Sequence, residues 1–598
     1  TGIVHIAPGH GEEDYELGLK YGLPVYAPVD DRGNFTEEAG DLKGEFVFKA
    51  NERIIKMLEE RGALLYKERY THSYPHCWRC KKPVIFRATE QWFISMERND
   101  LRRRCLEEIE KVNWIPSWGR DRIYNMILRR PDWCISRQRS WGVPITLIIC
   151  EGCGSFLKDE RFFEKTLALI KERGSDVWFM EPLSTFLPEG AQCEDCGSRS
   201  FRKETDILDV WFESGVSHAA VLEGDSRLSW PSDMYLEGSD QHRGWFQSSL
   251  ITSTGTHNRS PYKTVLTHGF VVDGQGKKMS KSLGNVIAPE DIIKTHGAEI
   301  IRLWVSAEDY REDMRLSEEI ITRLVEAYRK IRNTARFLLG NLYDFDMKDY
   351  RAYLLEIDRW AMSRLQGLIT KVTEAYERFE FHEVFHSIYR FCINDMSAFY
   401  LDILKDRLYT FKKDSPERRA AQWVLYNILS GMTRLLAPVL SFTAEEIWSH
   451  MPGEKTESVF LSDFPEPQKE FLDEALEERW KTLISIRDEV NKALEIKRKE
   501  RFIGNSLEAK VILYTVEEYY KLLSGYRDFL PYLFIVSQVE LRSDKEKGFF
   551  VSTEIEGLSI DIERAEGKKC ERCWNWSPHV GRFSEHPLIC ERCYNVLK

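Results

Sequence analysis

The sequence predicts a multidomain chain of the α/β and α classes, with a doubly wound parallel sheet first, a helical bundle next and two small modules at the end. Helical segments alternate with β-rich runs as far as about Ser306, which is typical of a parallel sheet covered by helices. After Ser317, apolar residues recur every three or four positions, as they do in long amphipathic helices. At 598 residues the chain is too long for one hydrophobic core, so we expect about three to five domains.

The first part of the chain contains the elements of the predicted sheet. Thr1–Ala39 mixes short apolar runs with Gly and Pro turns, and we expect it to be the end of an α/β domain. Asn51–Gly62 has a helical pattern, and the stretch Cys150–Cys196 interrupts the alternation as an inserted module. The predicted strands are the β-rich runs Val210–Phe212, Met234–Leu236 and Val265–Val272.

A single apolar stripe predicts a long helix near the start of the bundle, which we expect to extend to about Arg501. Beyond Gly504, β-rich runs predict a small α/β domain, and a compact cysteine-rich tail closes the chain. The stripe consists of Ile357, Trp360, Ala361, Leu365, Leu368, Ile369, Val372, Ala375, Tyr376 and Phe379. The runs of the small domain are Ala509–Tyr514, Ile535–Leu541 and Gly548–Ile562, and the tail is Lys568–Lys598.

The charge balance argues against non-specific nucleic-acid binding as the main activity. The formal net charge is −11 at pH 7, with 30% charged residues. A large acidic protein can still carry a local basic footprint, and the segment Lys497–Arg501 is a candidate. A solvated helix face explains this segment equally well.

Nothing in the chain predicts a membrane segment or a signal peptide. No charged stretch followed by an apolar one opens the sequence, and the most apolar stretch, Ala420–Ala444, is interrupted by Arg434 and Pro438. We therefore expect a cytosolic protein with no membrane partner.

Cysteine spacing predicts metal sites instead of disulfides. Of the 13 cysteines, ten form five C-x-x-C pairs in a long chain that shows no signal peptide. Two complete tetrads have the spacing of tetrahedral zinc sites. They are Cys570, Cys573, Cys590 and Cys593, and Cys150, Cys153, Cys193 and Cys196.

The fifth pair, Cys77 and Cys80, has no partner pair left in the chain. A tetrahedral site needs two further ligands. One alternative is a local site completed by His72 or His76.

A K-M-S-K-S pentapeptide, Lys278–Ser282, is suited to binding a polyphosphate. Its two lysines are three residues apart on a loop loosened by Gly274 and Gly276 and followed by the turn pair Gly284-Asn285. Two ammonium groups can therefore reach one polyphosphate while the backbone moves. Taken alone, a short Lys/Ser run is more often a solvated loop.

The segment E-G-S-D-Q-H-R-G-W-F, Glu237–Phe246, combines flexible backbone with hydrogen-bond acceptors. Gly238 and Gly244 permit a ligand to approach the backbone. The side chains of Glu237, Asp240 and Gln241 suit an ammonium group and ribose hydroxyls. Trp211 and Trp245 are candidate walls of an apolar pocket, although either tryptophan taken alone is more often part of a core.

Four further motifs accompany the pentapeptide. They are T-G-I-V-H-I-A-P-G-H-G-E-E-D-Y (Thr1–Tyr15), W-C-I-S-R-Q-R-S-W-G-V-P (Trp133–Pro144), L-D-V-W-F-E-S-G (Leu208–Gly215) and L-E-G-S-D-Q-H-R-G-W-F (Leu236–Phe246). Together they resemble the class I aminoacyl-tRNA synthetases, and among these the bacterial isoleucyl-tRNA synthetases. Valyl- and leucyl-tRNA synthetases share the pentapeptide, but H-R-G-W-F and the terminal cysteine tetrad favour isoleucine.

The resemblance implies a domain order. The family's other ATP signature, H-x-G-H, is matched by none of the 14 histidines, so the chain is expected to be the C-terminal two-thirds of a synthetase and inactive alone. The implied domains are 1–50, a remnant of an editing domain; 51–317, the second half of a Rossmann-type catalytic domain with a zinc module inserted at 150–200; 318–503, a helical anticodon-binding domain; 504–565, a small α/β junction domain; and 566–598, a C-terminal zinc ribbon.

The resemblance also implies an activity and its residues. The family activates isoleucine with ATP and Mg²⁺, transfers it from isoleucyl-AMP to tRNA as a monomer, and edits misactivated valine. The implied roles are Lys278 and Lys281 for catalysis; Glu237, Gly238, Asp240, Gln241, Lys278, Met279, Ser280, Lys281 and Ser282 for ATP and adenylate binding; Trp211 and Trp245 for the isoleucine side chain; and His5 and Asp14 for editing. The family completes the zinc site of Cys77 and Cys80 with an upstream C-x-x-C. A different class of function, a non-catalytic tRNA-binding protein, is the alternative.

Overall fold

The computed structural model describes residues 3–281, 283–543 and 548–598. The chain divides into two compact units, Thr1–Leu266 and Thr267–Lys598. The division falls inside the segment 51–317 that the sequence assigns to one domain, and the domain boundaries stay predictions. The order of elements along the chain is as predicted: sheet elements come first, followed by a helical bundle, a small α/β sheet and a cysteine-rich tail.

The first unit contains short strands and mostly short helices. Its helices are α1 Glu12–Tyr21, α2 Val47–Glu60, α3 Leu101–Ile109, α4 Trp118–Leu128, α5 Glu160–Arg173, α6 Val177–Met180, α7 Leu183–Phe186, α8 Val210–Gly215 and α9 Trp245–His257. Its strands are β1 Phe93–Ile94, β2 Asn113–Ile115, β3 Trp133–Cys134, β4 Ser136–Arg137, β5 Ile148–Cys150, β6 Phe201–Lys203, β7 Ile207–Leu208, β8 Ser232–Gly238 and β9 Tyr262–His268. The predicted helix at Asn51–Gly62 is confirmed as α2.

A three-stranded sheet of order β2-β9-β8 forms the core of this unit. β2 runs parallel to β9, with Trp114 opposite Val265. Helix α9 packs in the same core and is buried from Phe246 to Thr254, because its sequence is apolar or small on every face. Because β8 and α9 both pack in this core, both ends of the segment between them are held in place.

One predicted strand was wrong. Val210–Phe212 begins helix α8, because the Asp209 carboxylate accepts a hydrogen bond from the Trp211 amide at 3.3 Å and caps the helix. A run of three apolar residues fits a strand or a helix equally well, and the cap decides between them. The predicted run Val265–Val272 is interrupted at Gly269, where a Cβ atom would lie 2.3 Å from the Glu312 carbonyl oxygen.

The second unit begins with a parallel pair of short strands and continues as a helical bundle. The strands are β10 Val271–Asp273 and β11 Met314–Leu316. The helices are α10 Pro289–His296, α11 Ala298–Ala307, α12 Glu318–Gly340, α13 Glu356–Glu377, α14 Phe381–Arg390, α15 Leu401–Thr410, α16 Pro416–Leu436, α17 Ser441–His450 and α18 Glu474–Lys499. The predicted stripe is the buried face of α13 as far as Ala375, and Phe379 lies beyond the helix with φ 57°.

The remaining elements form the small sheet and the tail. They are β12 Ala509–Thr515, α19 Glu517–Ser524, α20 Leu530–Phe534, β13 Gln538–Arg542, β14 Phe550–Val551, β15 Leu558–Arg564, β16 Lys568–Lys569, β17 Trp576–Ser577 and α21 Glu591–Leu597. β12 pairs parallel with β13 and antiparallel with β15. Arg592 joins the tail to α15 through Asp406 at 2.7 Å. None of the helices in the described ranges is both long and apolar enough to cross a membrane.

A buried ion pair fastens α13 to α15. The Asp358 carboxylate is fully buried and accepts hydrogen bonds from Arg407 Nη1 at 2.8 Å and from the Tyr400 hydroxyl at 2.7 Å. The Leu355 amide donates to the same carboxylate at 3.0 Å. Every oxygen of this carboxylate is thus hydrogen-bonded, which a buried charge requires.

We expect Asp358→Asn to weaken the bundle by about 3–5 kcal/mol, because the guanidinium of Arg407 would remain buried without its counter-charge. Hydrogen-exchange mass spectrometry on peptides from α13 and α15 measures the local free energy of opening. Glu319→Gln is the control, since it removes an exposed pair with Arg323 on α12 and is expected to cost less than about 0.5 kcal/mol. Equal exchange rates in the two variants would contradict the prediction.

Candidate functional site

The K-M-S-K-S loop follows β10 through a turn built on Asp273. The Asp273 carboxylate accepts hydrogen bonds from the amides of Gln275 at 3.0 Å and Lys277 at 2.8 Å. The Asp273 amide in turn donates to the Lys277 carbonyl at 2.9 Å, and Gly276 supplies the positive φ of 79° that the turn requires. The turn sends the chain back so that Lys278 pairs with Val272.

Asn285 closes the loop from the other side. Its side-chain oxygen accepts from the Ser280 amide at 2.9 Å, while its nitrogen donates to Asp273 at 2.9 Å and to the Lys278 carbonyl at 3.3 Å. The hydrogen bond from Asn285, followed by that from the Lys277 amide, lowers the pKa of the Asp273 carboxyl. One amide side chain therefore holds the loop at three points.

This arrangement leaves both lysines of the signature at the surface. Lys278 and Lys281 are exposed, and Lys278 Nζ lies 6.0 Å from the centre of the Phe270 ring. Met279 and Ser280 are half-buried, while Ser282 lies outside the described residues. Hydrogen bonds thus hold the backbone of the loop, and its two lysine side chains are exposed to solvent.

The segment Glu237–Phe246 joins the end of β8 to the start of α9. Glu237 and Asp240 are exposed, and Gly238 is the last residue of the strand. Glu237 accepts from the Gly238 amide at 2.7 Å, which fixes the carboxylate over the strand end. The Gln241 side chain accepts from the Trp245 amide at 3.0 Å and donates to Asp240 at 3.1 Å.

Two tryptophans predicted to line a pocket lie beside this segment. A Cβ atom at Gly244 would lie 2.7 Å from the Trp211 ring, so only glycine leaves room for the ring there. Trp211 is 44% exposed, whereas Trp245 is half-buried and stacks on Tyr235 with ring centres 4.0 Å apart. Trp245 Nε1 donates to the Ser214 carbonyl at 3.1 Å. The structure brings both rings to the start of α9, with Trp211 the more accessible.

The two residues predicted for editing lie near the start of the chain. Asp14 is in the first turn of α1, and its carboxylate accepts from the Ala7 amide at 3.1 Å. His5 is exposed. In the described part of the chain no hydrogen bond joins His5 to Asp14, and their shared role stays a prediction.

Both cysteine tetrads converge as their spacing predicts. In each tetrad the four sulfur atoms lie within 4.8 Å of one another. Cys150 Sγ is 3.5 Å from Cys196 Sγ, and Cys573 Sγ is 3.7 Å from Cys590 Sγ. These separations suit four thiolates around one tetrahedral Zn²⁺ ion.

Backbone N–H groups donate to two sulfur atoms of the tetrads, which favours the thiolate form of those two cysteines. The Cys590 amide donates to Cys570 Sγ at 3.3 Å, and the Gly152 amide donates to Cys150 Sγ at 3.3 Å. Hydrogen bonds with Ser155 are the main cause that lowers the pKa of Cys153 to about 6. Thiolates are the metal-binding form, so the residues present fit zinc.

Cys77 and Cys80 form no complete site. Within residues 3–281, 283–543 and 548–598, neither His72 nor His76 joins the pair in a cluster of three possible ligands. His72 and His76 instead bond to the carbonyls of Ser73 and Tyr74 through Nδ1. The structure does not bring a histidine together with this pair, and the metal ligands of Cys77 and Cys80 stay a prediction.

The proposed basic footprint at Lys497–Arg501 is partly occupied by internal contacts. Lys497 pairs with Glu500 at 2.9 Å and lies 4.2 Å from the centre of the Phe549 ring. Arg498 pairs with Glu495 at 2.5 Å. These contacts favour the alternative of a solvated, internally paired helix end.

A second basic surface, which the sequence did not single out, lies along α12. Arg329, Arg332 and Arg336 line an open cavity of about 590 Å³. Arg336 also lines an adjoining cavity of about 600 Å³ with Tyr343 and Tyr409, which are 79% and 61% exposed. The signal in the sequence is the spacing of the arginines at i, i+3 and i+7, which puts them on one helix face.

Comparisons with known proteins give consistent matches along the chain. Residues 27–317 match the family described as tRNA synthetases class I (I, L, M and V). Residues 358–513 match the anticodon-binding domain of tRNA ligase, and residues 567–596 match the zinc finger found in FPG and IleRS.

Two relatives show the extent of the likeness. The chain is 57% identical to isoleucine–tRNA ligase of Syntrophotalea carbinolica and 54% identical to that of Geobacter sulfurreducens. Each alignment covers 100% of this chain and 65% of the relative, so the chain spans about 65% of the length of these relatives. A solved LeuRS–tRNA–LeuAMS complex from Agrobacterium radiobacter K84 is 22% identical to this chain. The alignment covers 58% of this chain and 44% of the LeuRS chain, and its TM-score of 0.41 is too low to support an argument.

We expect Cys573→Ser to remove one zinc ion and to unfold the tail selectively, because such an ion contributes its binding energy to folding. Metal analysis after removal of free zinc, together with hydrogen exchange over residues 568–598, measures both effects. Cys134→Ser, outside the tetrads, is the control. An unchanged zinc content in the Cys573 variant would overturn the assignment of the tail as a metal site.

Proposed function

The chain belongs to the class I tRNA synthetases, and from this premise we propose that it takes part in the isoleucine–tRNA ligase reaction. In that reaction isoleucine and ATP give isoleucyl-AMP, and the amino acid then passes to tRNA. The observation that carries the proposal is the 57% identity, over every part of this chain, to a relative with that name. The activity of the whole protein, its substrates and its partners remain part of the proposal.

The chemistry of activation suits the K-M-S-K-S loop. The isoleucine carboxylate attacks the α-phosphate of ATP, and negative charge builds up on the departing pyrophosphate. Catalysis then needs position and positive charge more than covalent help from the protein. Lys278 and Lys281 would supply that charge alongside Mg²⁺, while Asp273 and Asn285 hold the backbone from which they project.

The segment after β8 offers groups suited to an aminoacyl-adenylate. Glu237 and Asp240 are exposed carboxylates at a strand end, where ammonium and hydroxyl groups of a ligand can reach them. Gln241 is already bonded to the Trp245 amide, so we assign it to positioning the start of α9 and its tryptophan. Trp211, the more accessible ring, is the better candidate for contact with the isoleucine side chain.

The surface of α12 supports tRNA as a partner. Arg329 and Arg336 on one helix face, next to two exposed tyrosines, combine phosphate contacts with rings on which bases can stack. Arg332 between them already pairs with Glu446 at 3.1 Å. The zinc tail adds a second candidate contact. A local basic surface of this kind is compatible with the net charge of −11.

The remaining assignments are also proposals. They are a cytosolic location, a monomeric state and, for His5 and Asp14, a part in the removal of misactivated valine. Discrimination by one methylene group gives only about 1–3 kcal/mol, and isoleucyl-tRNA synthetase is the standard case of an enzyme that needs a second, hydrolytic site.

We expect Lys281→Ala to lower isoleucine-dependent ATP–pyrophosphate exchange about 10²–10³-fold, the usual effect of removing one preorganised charge donor from a transition state. The assay uses the whole protein isolated from its natural host, including any residues outside the 598 described above. Lys277→Ala is the matched control, because its neighbouring side chain is equally exposed but lies outside the signature. Exchange that persists undiminished in the Lys281 variant would remove the loop from the mechanism.

We expect Arg336→Ala to weaken binding of isoleucine tRNA and to make the plot of log affinity against log salt shallower by about one unit, because one phosphate contact is lost. Filter binding over a range of salt concentrations measures both quantities. Arg323→Ala is the control on the same helix, since Arg323 pairs with Glu319 and lines neither cavity. Parallel salt plots for all three proteins would contradict a role for this surface.

A further inference from the structure

Three possible metal ligands converge in the first unit, away from the cysteine tetrads. His218 and Glu223 are the first and last residues of a π-helical turn that follows α8, and His257 is the last residue of α9. His218 Nδ1 lies 3.6 Å from Glu223 Oε1, and His257 Nε2 lies 3.2 Å from Glu223 Oε2. One ligand atom from each side chain lies within 4.8 Å of the other two.

The contacts around His218 fix which ring nitrogen faces the cluster. His218 Nε2 lies 3.3 Å from the Thr252 hydroxyl oxygen, on the side away from Glu223. Nδ1 is therefore the ring nitrogen directed at the Glu223 carboxylate.

A similar contact fixes His257. Its Nδ1 lies 2.7 Å from the Thr256 hydroxyl, and this hydroxyl donates to the Thr252 carbonyl at 2.8 Å. Nε2 is then the ring nitrogen that faces Glu223, at 3.2 Å from Oε2. In both histidines a threonine hydroxyl contacts the outer ring nitrogen, and the inner nitrogen is directed at the carboxylate.

A buried imidazole nitrogen faces the carboxylate without a hydrogen-bond partner. Only 2% of the His218 side chain is exposed, and among the described residues its Nδ1 has no hydrogen-bond partner. A buried polar atom without a partner is costly, so a ligand is expected here.

We propose that His218, Glu223 and His257 form a binding site for one divalent metal ion of the zinc class. Ligand atoms around a tetrahedral ion at about 2.0–2.2 Å are roughly 3.3–3.6 Å apart. Each histidine nitrogen lies at about this distance from one oxygen of the Glu223 carboxylate, His218 Nδ1 from Oε1 and His257 Nε2 from Oε2. The set of two imidazoles and one carboxylate suits zinc and its neighbours in the transition series. Glu223 and His257 reach the surface, which leaves the fourth position open to water or an exogenous ligand.

Such an ion would join two segments that also carry the proposed amino-acid pocket. His218 follows Ser217, whose hydroxyl accepts from Trp245 Nε1 at 3.0 Å. His257 ends the helix that begins at Trp245. The ion would fix the π-helical turn to the far end of α9, independently of whether the chain acts as an isoleucine–tRNA ligase.

The test compares zinc content between wild type, Glu223→Gln and His257→Ala, with His450→Ala as a control at an exposed histidine outside the cluster. Each protein is equilibrated with buffered free zinc at micromolar concentration and near-neutral pH, freed of excess zinc by gel filtration, and analysed by mass spectrometry of the metal. We expect wild type and control to agree and each cluster variant to hold one zinc ion fewer. Circular dichroism identifies any variant that has lost its fold.

A second measurement does not depend on substitution. In protein labelled with ¹⁵N-histidine, added zinc should shift Nδ1 of His218 and Nε2 of His257 while the opposite nitrogens keep their protons. Equal zinc content in all four proteins would overturn the proposal. So would two doubly protonated rings that do not respond to zinc, because the cation between these groups would then be a proton.

Discussion

The first unit depends on one constraint, namely that backbone N–H groups between very short strands must still be hydrogen-bonded. Strands of two or three residues leave many amides outside the sheets. Carboxylates accept them instead. Glu204 accepts from the amides of Thr205 at 2.7 Å and Asp206 at 3.0 Å, Asp132 from Met96 at 2.8 Å, and buried Glu108 from Ser260 at 2.8 Å. Hydrogen bonds to these carboxylates thus replace the ones that longer paired strands would make.

Side chains also accept hydrogen bonds from backbone amides in the K-M-S-K-S loop, which carries the two lysines proposed for ATP binding. Asp273 and Asn285 hold the backbone of the loop, so less backbone order has to be gained when a ligand binds. The bundle is stabilised in another way. The backbone groups of its long helices are hydrogen-bonded within each helix, and packing of the apolar helix faces supplies most of the stability. The buried ion pair of Asp358 and Arg407 is a polar contribution.

The sequence predicted the elements whose signal is long or chemically specific. The stripe along α13, the cysteine tetrads and the signature motifs all fall in that class. It did not predict α8, because a three-residue apolar run carries no period and Asp209 decides the outcome. Nor did it predict Asn285 as the residue that closes the loop, or the cluster of His218, Glu223 and His257, whose members are 39 positions apart at the extremes and follow no motif. Such contacts arise from the tertiary fold, which brings the end of one helix beside a distant turn.

The two cysteine tetrads differ in the length of chain that they enclose. The tail tetrad lies within residues 570–593, whereas the other draws Cys150 and Cys153 at the end of β5 together with Cys193 and Cys196, just before β6. An ion held by this tetrad would tie the two ends of the insertion together, next to the paired strands β5 and β6. Since the closure entropy of a loop grows only slowly with its length, residues between the two cysteine pairs can be gained or lost while both ends stay in register.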